Sequence, residues 1–260
     1  MMKVILSLCL IVLFLLPTGE ATAGELAERL MNFPHWEKMT SAKSATGDLV
    51  YPDWMAGSWQ VKSTLVDLVA PLAPQIVTPG FEDNRRYLNQ PISFAVRFVP
   101  EQKPLSQLKV IPSANSESSE SAVSIVADRA FNSLNLAQAY LGDRAVLSVK
   151  VDPNSPNRQI TLLRGNRQLV SIVSARATET TSDDQFITTE VFQQLFKGGS
   201  RPYFNTVEST TAYRQLLTSN PAIEADQVTA IYLSPQDPNY FTAGSRPVAL
   251  YRYRLEFFPK

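Results

Sequence analysis

Residues 91–100 read PISFAVRFVP, with Ile92, Phe94, Val96 and Phe98 alternating with Ser93, Ala95, Arg97 and Val99. A period of two sends alternate side chains to opposite faces, so this stretch predicts a strand with one strongly apolar face. The same period governs the chain from Trp54 onward. Upstream, Trp59, Val61, Leu65 and Val69 mark a long strand over residues 58–69. Between the two strands stand Pro71, Pro74, Pro79 and Gly80, and a segment so interrupted cannot supply central ladder hydrogen bonds. Downstream, residues 123–127 form a short strand. Asp128 is an N-cap for a helix over residues 129–141, with Phe131, Leu134, Gln138 and Leu141 on one face and Gly142 as its stop. Strands follow over residues 145–151, 160–163 and 169–177, the last two flanking the hairpin signal Gly165-Asn166. Residues 186–189 continue the pattern, and residues 190–196 fit either a strand or a short helix. Residues 203–213, 228–233 and 248–258 complete the set.

Nine or ten strands joined by hairpin-like connections, without regular strand–helix alternation, exclude a parallel α/β sheet. A sheet of that many strands must close, curl or split. The expectation is a mainly β fold: a single antiparallel barrel or strongly curved sheet over residues 54–260, with one or two short helices. A two-sheet sandwich is the competing arrangement. Residues 24–53 read as a lead-in, with helical spacing through Leu26, Leu30 and Met31.

Residues 1–23 follow a different logic. Lys3 gives a positive start, residues 4–17 (VILSLCLIVLFLLP) are almost unbroken apolar, and Ala21-Thr22-Ala23 is an A-x-A exit before Gly24. That anatomy predicts a cleaved secretory signal, because the apolar run falls short of the ~20 residues of a membrane span. Cleavage after Ala23 leaves 237 of the 260 residues, removes Lys3, Glu20 and the sole cysteine Cys9, and keeps the formal charge at zero. The mature chain thereby loses thiolate catalysis, cysteine-ligated metals and disulfides as options. The expected location is beyond a Sec-competent membrane.

The 24 basic and 24 acidic side chains balance, so nothing predicts a nucleic-acid partner. His35 is the only histidine, in the lead-in, and no G-x-S-x-G or Gly-rich phosphate loop occurs. Glu179, Asp183 and Asp184 match no metal-loop spacing. Arg85-Arg86 is flanked by Glu82 and Asp83 and reads as a solvated turn. No catalytic residue, metal or cofactor is expected.

Two resemblances rest on particular residues. Gly57-x-Trp59 at the head of the first long strand resembles the G-x-W signature of the calycins, the lipocalins and fatty-acid-binding proteins. That resemblance implies a calycin-like barrel in which Trp59 plugs one end and packs on Arg252 or Arg254 of the last strand, ALYRYRLEFF. Residues 51–81 (YPDWMAGSWQVKSTLVDLVAPLAPQIVTPGF), with residues 91–100 and 190–213, are similar to a cyanobacterial and chloroplast family of unknown function. Its members carry export signals and are associated with the thylakoid lumen or periplasm, so the resemblance implies a location and a shared fold, and no catalytic residues.

In such a barrel the inward aromatics either fill the interior or line an apolar cavity. The resulting expectation is a non-enzymatic exported binding protein carrying a small apolar ligand (a lipid, pigment or quinone). The alternatives are an auxiliary or assembly protein of a photosynthetic or envelope membrane complex, and an isomerase- or cyclase-type enzyme. Leu72, Ile76, Val77 and Phe81 sit among prolines that pre-order the backbone, and are the expected ligand or partner contacts.

Overall fold

The computed structural model describes residues 24–101, 123–199 and 201–260. Residues 1–23, read from the sequence as an export signal, lie outside the described residues.

The elements in chain order are α1 (Glu25–Met31), β1 (Lys43–Ser44), β2 (Val50–Tyr51), β3 (Gly57–Val69), α2 (Phe81–Asn84) and β4 (Pro91–Pro100). They continue with β5 (Ile125–Ala127), α3 (Arg129–Leu141), β6 (Val146–Asp152), β7 (Ser155–Leu163), β8 (Arg167–Ser182) and β9 (Gln185–Lys197). The last are β10 (Tyr203–Gln215), β11 (Ile223–Leu233), α4 (Tyr240–Ala243) and β12 (Ala249–Pro259). Residues 190–196 resolve as strand, the continuation of β9.

Eleven strands form one antiparallel half-barrel in the order β2-β5-β4-β3-β12-β11-β10-β9-β8-β7-β6, and β1 pairs with β8. Strands β6 to β12 form a meander in sequence order, and the first long strand, β3, then pairs with the last, β12. The Gly165-Asn166 hairpin is present, both residues at positive φ as a tight primed turn requires. The sheet curls without closing: β2 and β6 remain its ends.

The opening between them is bridged by α3, which packs on β4 at one side and on β6 and β7 at the other. Asp128 caps the helix by accepting from the Phe131 N–H at 3.0 Å and pairs with the Arg97 guanidinium at 2.6 Å. Asn132 clamps the Arg97 backbone, accepting its N–H at 2.8 Å and donating to its carbonyl at 3.1 Å. On the opposite side, the Ser133 hydroxyl lies 3.0 Å from Gln159 Oε1 of β7. No residue of α3 is fully buried. Directed polar bonds hold this helix over the opening, in place of a buried apolar stripe.

Both faces of the sheet are covered. On the concave face, Met55, Trp59, Val61, Val96, Phe98, Ile223, Leu255 and Phe257 form the core at one end. On the convex face, α1 and Trp36 pack Leu26 and Leu30 against Ile187, Val228, Tyr232 and Leu250. This double burial explains the changing pattern of β11. Its concave side runs Ile223, Ala225, Gln227, Thr229, while its convex side runs Glu224, Asp226, Val228, Ala230, so polarity exchanges faces midway.

Candidate functional site

Above the concave core lies a cavity of about 400 Å³, roofed by α3. Strand register sets what it offers. Reading across the sheet, Val61 pairs with Phe257 and Phe257 with Ile223, an apolar row. Two rows further along, Tyr253, Gln227, Thr211 and Thr188 succeed one another. The next row runs Tyr251, Thr229, Ser209, Glu190 and Arg176. The concave surface therefore changes from apolar to hydrogen-bonding over a few residues of strand. Phe94, Val96, Leu255 and Phe257 line the cavity at the apolar end, Gln227 and Thr229 at the polar one, and Asn132, Ser133, Leu136 and Tyr140 from the helix.

Four tyrosines line it: Tyr51, Tyr140, Tyr213 and Tyr253. Burial, with the neighbouring Tyr213 and Glu190, raises the Tyr51 hydroxyl well above its usual value near 10. Burial also pushes Tyr213 up to about 12 and raises Tyr140. For Tyr253, burial and the neighbouring Tyr140 and Tyr251 phenols raise it further, with no hydrogen bond offsetting them. All four remain neutral O–H groups at physiological pH, able to donate to a ligand oxygen. Tyr51 is held by ring contacts, its centroid 4.7 Å from Phe98 and 5.8 Å from Phe186.

Among the described residues, Arg129 is the only charged side chain lining the cavity, and it is already neutralised. Its guanidinium reaches Asp48 at 2.8 Å and Glu190 at 2.9 Å, while Glu190 also takes Arg176 at 2.7 Å. Two guanidiniums face two carboxylates beneath the helix N-terminus. The site is uncharged overall, dry at one end and rich in donors at the other, with no nucleophile–base pair among the lining residues. Among the described residues no cluster of three His, Cys, Asp or Glu side chains is placed to hold a metal ion.

The residues expected from the sequence fall elsewhere. Trp59 is buried at the core end, its indole N–H donating to the Met55 carbonyl at 2.8 Å and its ring edge-on to Phe257. Gly57 starts β3 at φ +119°, which a side chain would make costly. The expected stacking of Arg252 or Arg254 on Trp59 is not formed. β12 turns Tyr253, Leu255 and Phe257 inward, so both arginines face the convex side. There Arg252 binds Asp226 at 2.6 Å and lies over Phe33, and Arg254 is exposed.

Of the expected ligand or partner contacts, Leu72, Ile76 and Phe81 are buried. Leu72 and Ile76 pack against Leu233, Ala243 and Val248, and Phe81 against Leu65, Leu68 and Tyr251. Only Val77, 81% exposed, faces solvent. The prolines shape a cap that buries its apolar groups at an end of the sheet. Replacing Leu72 and Ile76 together with Ser is therefore expected to cost a few kcal/mol, roughly 3 or more, read as a lowered urea midpoint with an unchanged slope.

His35 is exposed in the N-terminal segment and does not line the cavity. Asp183 and Asp184 form the β8–β9 turn, and Glu179 accepts the Leu26 N–H at 2.9 Å. Arg85 pairs with Glu82, and Arg86 donates to the Tyr87 hydroxyl. The sequence leads one to expect inward aromatics in a barrel, which Tyr140, Tyr213 and Tyr253 supply, but not Tyr51, Arg129, Gln227 or Thr229. For the last two a signal exists: they interrupt the apolar parity Ile223, Ala225 and Ile231 of the same strand.

No curated protein and no solved structure matches the chain. One protein family does, described only as a domain of unknown function, DUF6816, and its match covers residues 43–260. With so much of its length matched, the chain belongs to that family.

Proposed function

We propose that this protein is a non-enzymatic carrier that holds a small, uncharged, largely apolar molecule, such as a lipid, pigment or quinone, in its concave cavity. The observation that carries the reading is a cavity of about 400 Å³ whose one charged lining residue is internally compensated. That volume falls in the range of small-molecule sites, which combine apolar walls with a few placed polar groups. An uncharged ligand meets no unpaired charge, and a carbonyl-bearing head would find the neutral hydroxyls of Tyr51, Tyr213 and Tyr253. A charged ligand would have to be desolvated against a site already balanced. The same proposal includes export: the positive start, apolar run and A-x-A of residues 1–23 support delivery to a thylakoid lumen or periplasm, where apolar molecules need an aqueous carrier.

The test is organic extraction and mass spectrometry of protein purified from its native compartment, comparing wild type with Leu136→Trp. Leu136 lines the cavity from α3 and is 42% exposed, so a larger ring there obstructs the space without entering the core. The wild type should yield an apolar compound, and the variant should lose it while melting at the same temperature. An empty wild type, or equal retention by both, would reject the carrier reading.

A further inference from the structure

We propose that the end of the molecule at the α3 C-terminus docks on an anionic phospholipid membrane. Arg144, Arg164 and Arg167 surround one concavity there, together with Leu141, Gly142, Ala145 and Gly165, and Asp143 is its only acidic lining residue. Eight of the fifteen described arginines, at positions 29, 85, 97, 129, 158, 176, 214 and 252, are in ion pairs, and three of the seven others gather here. Among the described residues, Arg144, Arg164 and Arg167 enter no salt bridge, and all three are exposed. In a chain of zero formal charge this gathers cations at one pole.

The pole is built to hold its shape. Gly142 ends α3 at φ +85°, turning the chain into Arg144, and the Arg167 Nε–H donates to the Arg164 carbonyl at 3.1 Å across the tight β7–β8 turn. Gly198 adopts φ +97° and presses on that turn so closely that a Cβ would sit 2.6 Å from the Asn166 carbonyl oxygen and 2.7 Å from Arg167 Cα. The preceding Lys197 pairs in register with Gln168, adding a fourth exposed cation beside the three.

A membrane fits better than a soluble anion because apolar groups flank the charges. Leu141, on the concavity rim, and Leu147, at the start of the end strand β6, are both exposed. Arginines reaching phosphates with leucines entering the headgroup layer is the chemistry of an anionic bilayer surface. The geometry also ties docking to the cavity, since the helix that ends at this pole is the one that roofs it. The inference rests on the arginine cluster and stands whether or not the cavity holds the proposed ligand.

The experiment is co-sedimentation of the purified protein with vesicles of phosphatidylcholine alone or mixed with phosphatidylglycerol. The variant R144Q/R164Q/R167Q shares the wild-type N-terminus, so the difference between the two reads the arginines alone. Wild type should bind the mixed vesicles, lose binding as salt rises, and exceed the variant roughly a hundredfold in partitioning. Leu141→Ser with Leu147→Ser should weaken binding without abolishing its dependence on phosphatidylglycerol. Because all these residues are exposed, melting temperatures should be unchanged. Equal binding to both vesicle types, equal binding by the arginine variant, or binding of inorganic phosphate without vesicles would overturn the proposal.

Discussion

Replacing Glu208 with Ala is expected to destabilise the protein by roughly 3–5 kcal/mol, the usual cost of breaking a buried ion pair from one side. Glu208 is 0% exposed on the convex face of β10. Its carboxylate accepts from Arg29 Nε at 2.6 Å and Nη2 at 2.9 Å, from the Thr40 N–H at 3.2 Å and hydroxyl at 2.6 Å, and from the Tyr232 hydroxyl at 3.2 Å. Arg29 is nearly as enclosed, stacked 3.7 Å from the Trp36 ring centroid and also donating to the Lys38 carbonyl. Removing the carboxylate strands a buried guanidinium and leaves Thr40 and Tyr232 short of a partner. For a chain of this size the loss corresponds to a fall in melting temperature of about 10 °C or more. The same change should expose the N-terminal segment, carrying α1 and Trp36, to proteolysis before the sheet unfolds. The double variant Arg29→Met with Glu208→Leu should recover much of the stability, because it leaves no stranded charge. A shift of under about 1 kcal/mol for Glu208→Ala would show that the apolar contacts of Leu26, Leu30 and Trp36 hold that segment by themselves.

The strands with clean alternation were legible in the sequence because their two faces meet different surroundings. β4 is the plainest case, with Phe94, Val96 and Phe98 turned to the concave core. The helix over residues 129–141 was legible too, from the Asp128 cap and the Gly142 stop. Its role was not. Phe131, Leu134, Gln138 and Leu141 suggest a helix lying on a core, whereas α3 spans a gap, and its anchors are Asp128, Arg129, Asn132 and Ser133. Amphipathic spacing reports which side chains share a face and says nothing of what faces them. The two arginines of β12 show the same gap in information. Alternation puts Arg252 and Arg254 together, but which face curls inward depends on what covers the other, and here α1 and Phe33 take the convex side. The proline-rich segment shows a related limit: its prolines fix the backbone of Leu72 and Ile76 without disclosing that Leu233 and Val248 pack against them. Cavity residues such as Gln227 and Thr229 come together only through the register of several strands, which no local pattern encodes.

At the cavity, Glu190→Gln is expected to remove both stability and a defined part of its pH dependence. Glu190 is buried on β9, where it binds Arg129 at 2.9 Å and Arg176 at 2.7 Å. Burial by itself would raise its carboxyl, but the Arg129 and Arg176 guanidiniums more than reverse this and hold it below the ordinary carboxylate value. A carboxyl depressed in the folded state contributes stability that is complete above its unfolded value, near 4.5, and is lost as pH falls through the lower, folded value. Urea unfolding of the wild type should therefore weaken below pH about 4.5, and the Gln variant should show a flatter acid limb from a lower plateau. The plateau should fall by roughly 3 kcal/mol or more, since Arg129 would keep Asp48 as its one carboxylate and Arg176, bound to the Asn157 amide oxygen, would have none. An unchanged acid limb would assign that pH dependence to other carboxylates. The variant also tests why the cavity should select uncharged ligands. With Glu190 neutral, Arg129 and Arg176 stand against the single carboxylate of Asp48, so a net positive charge remains beside the lining, and a fatty acid such as decanoate should bind the variant more tightly than the wild type, while a neutral quinone should gain nothing. Equal decanoate binding by the two proteins would mean that shape, and not charge balance, governs what the cavity accepts.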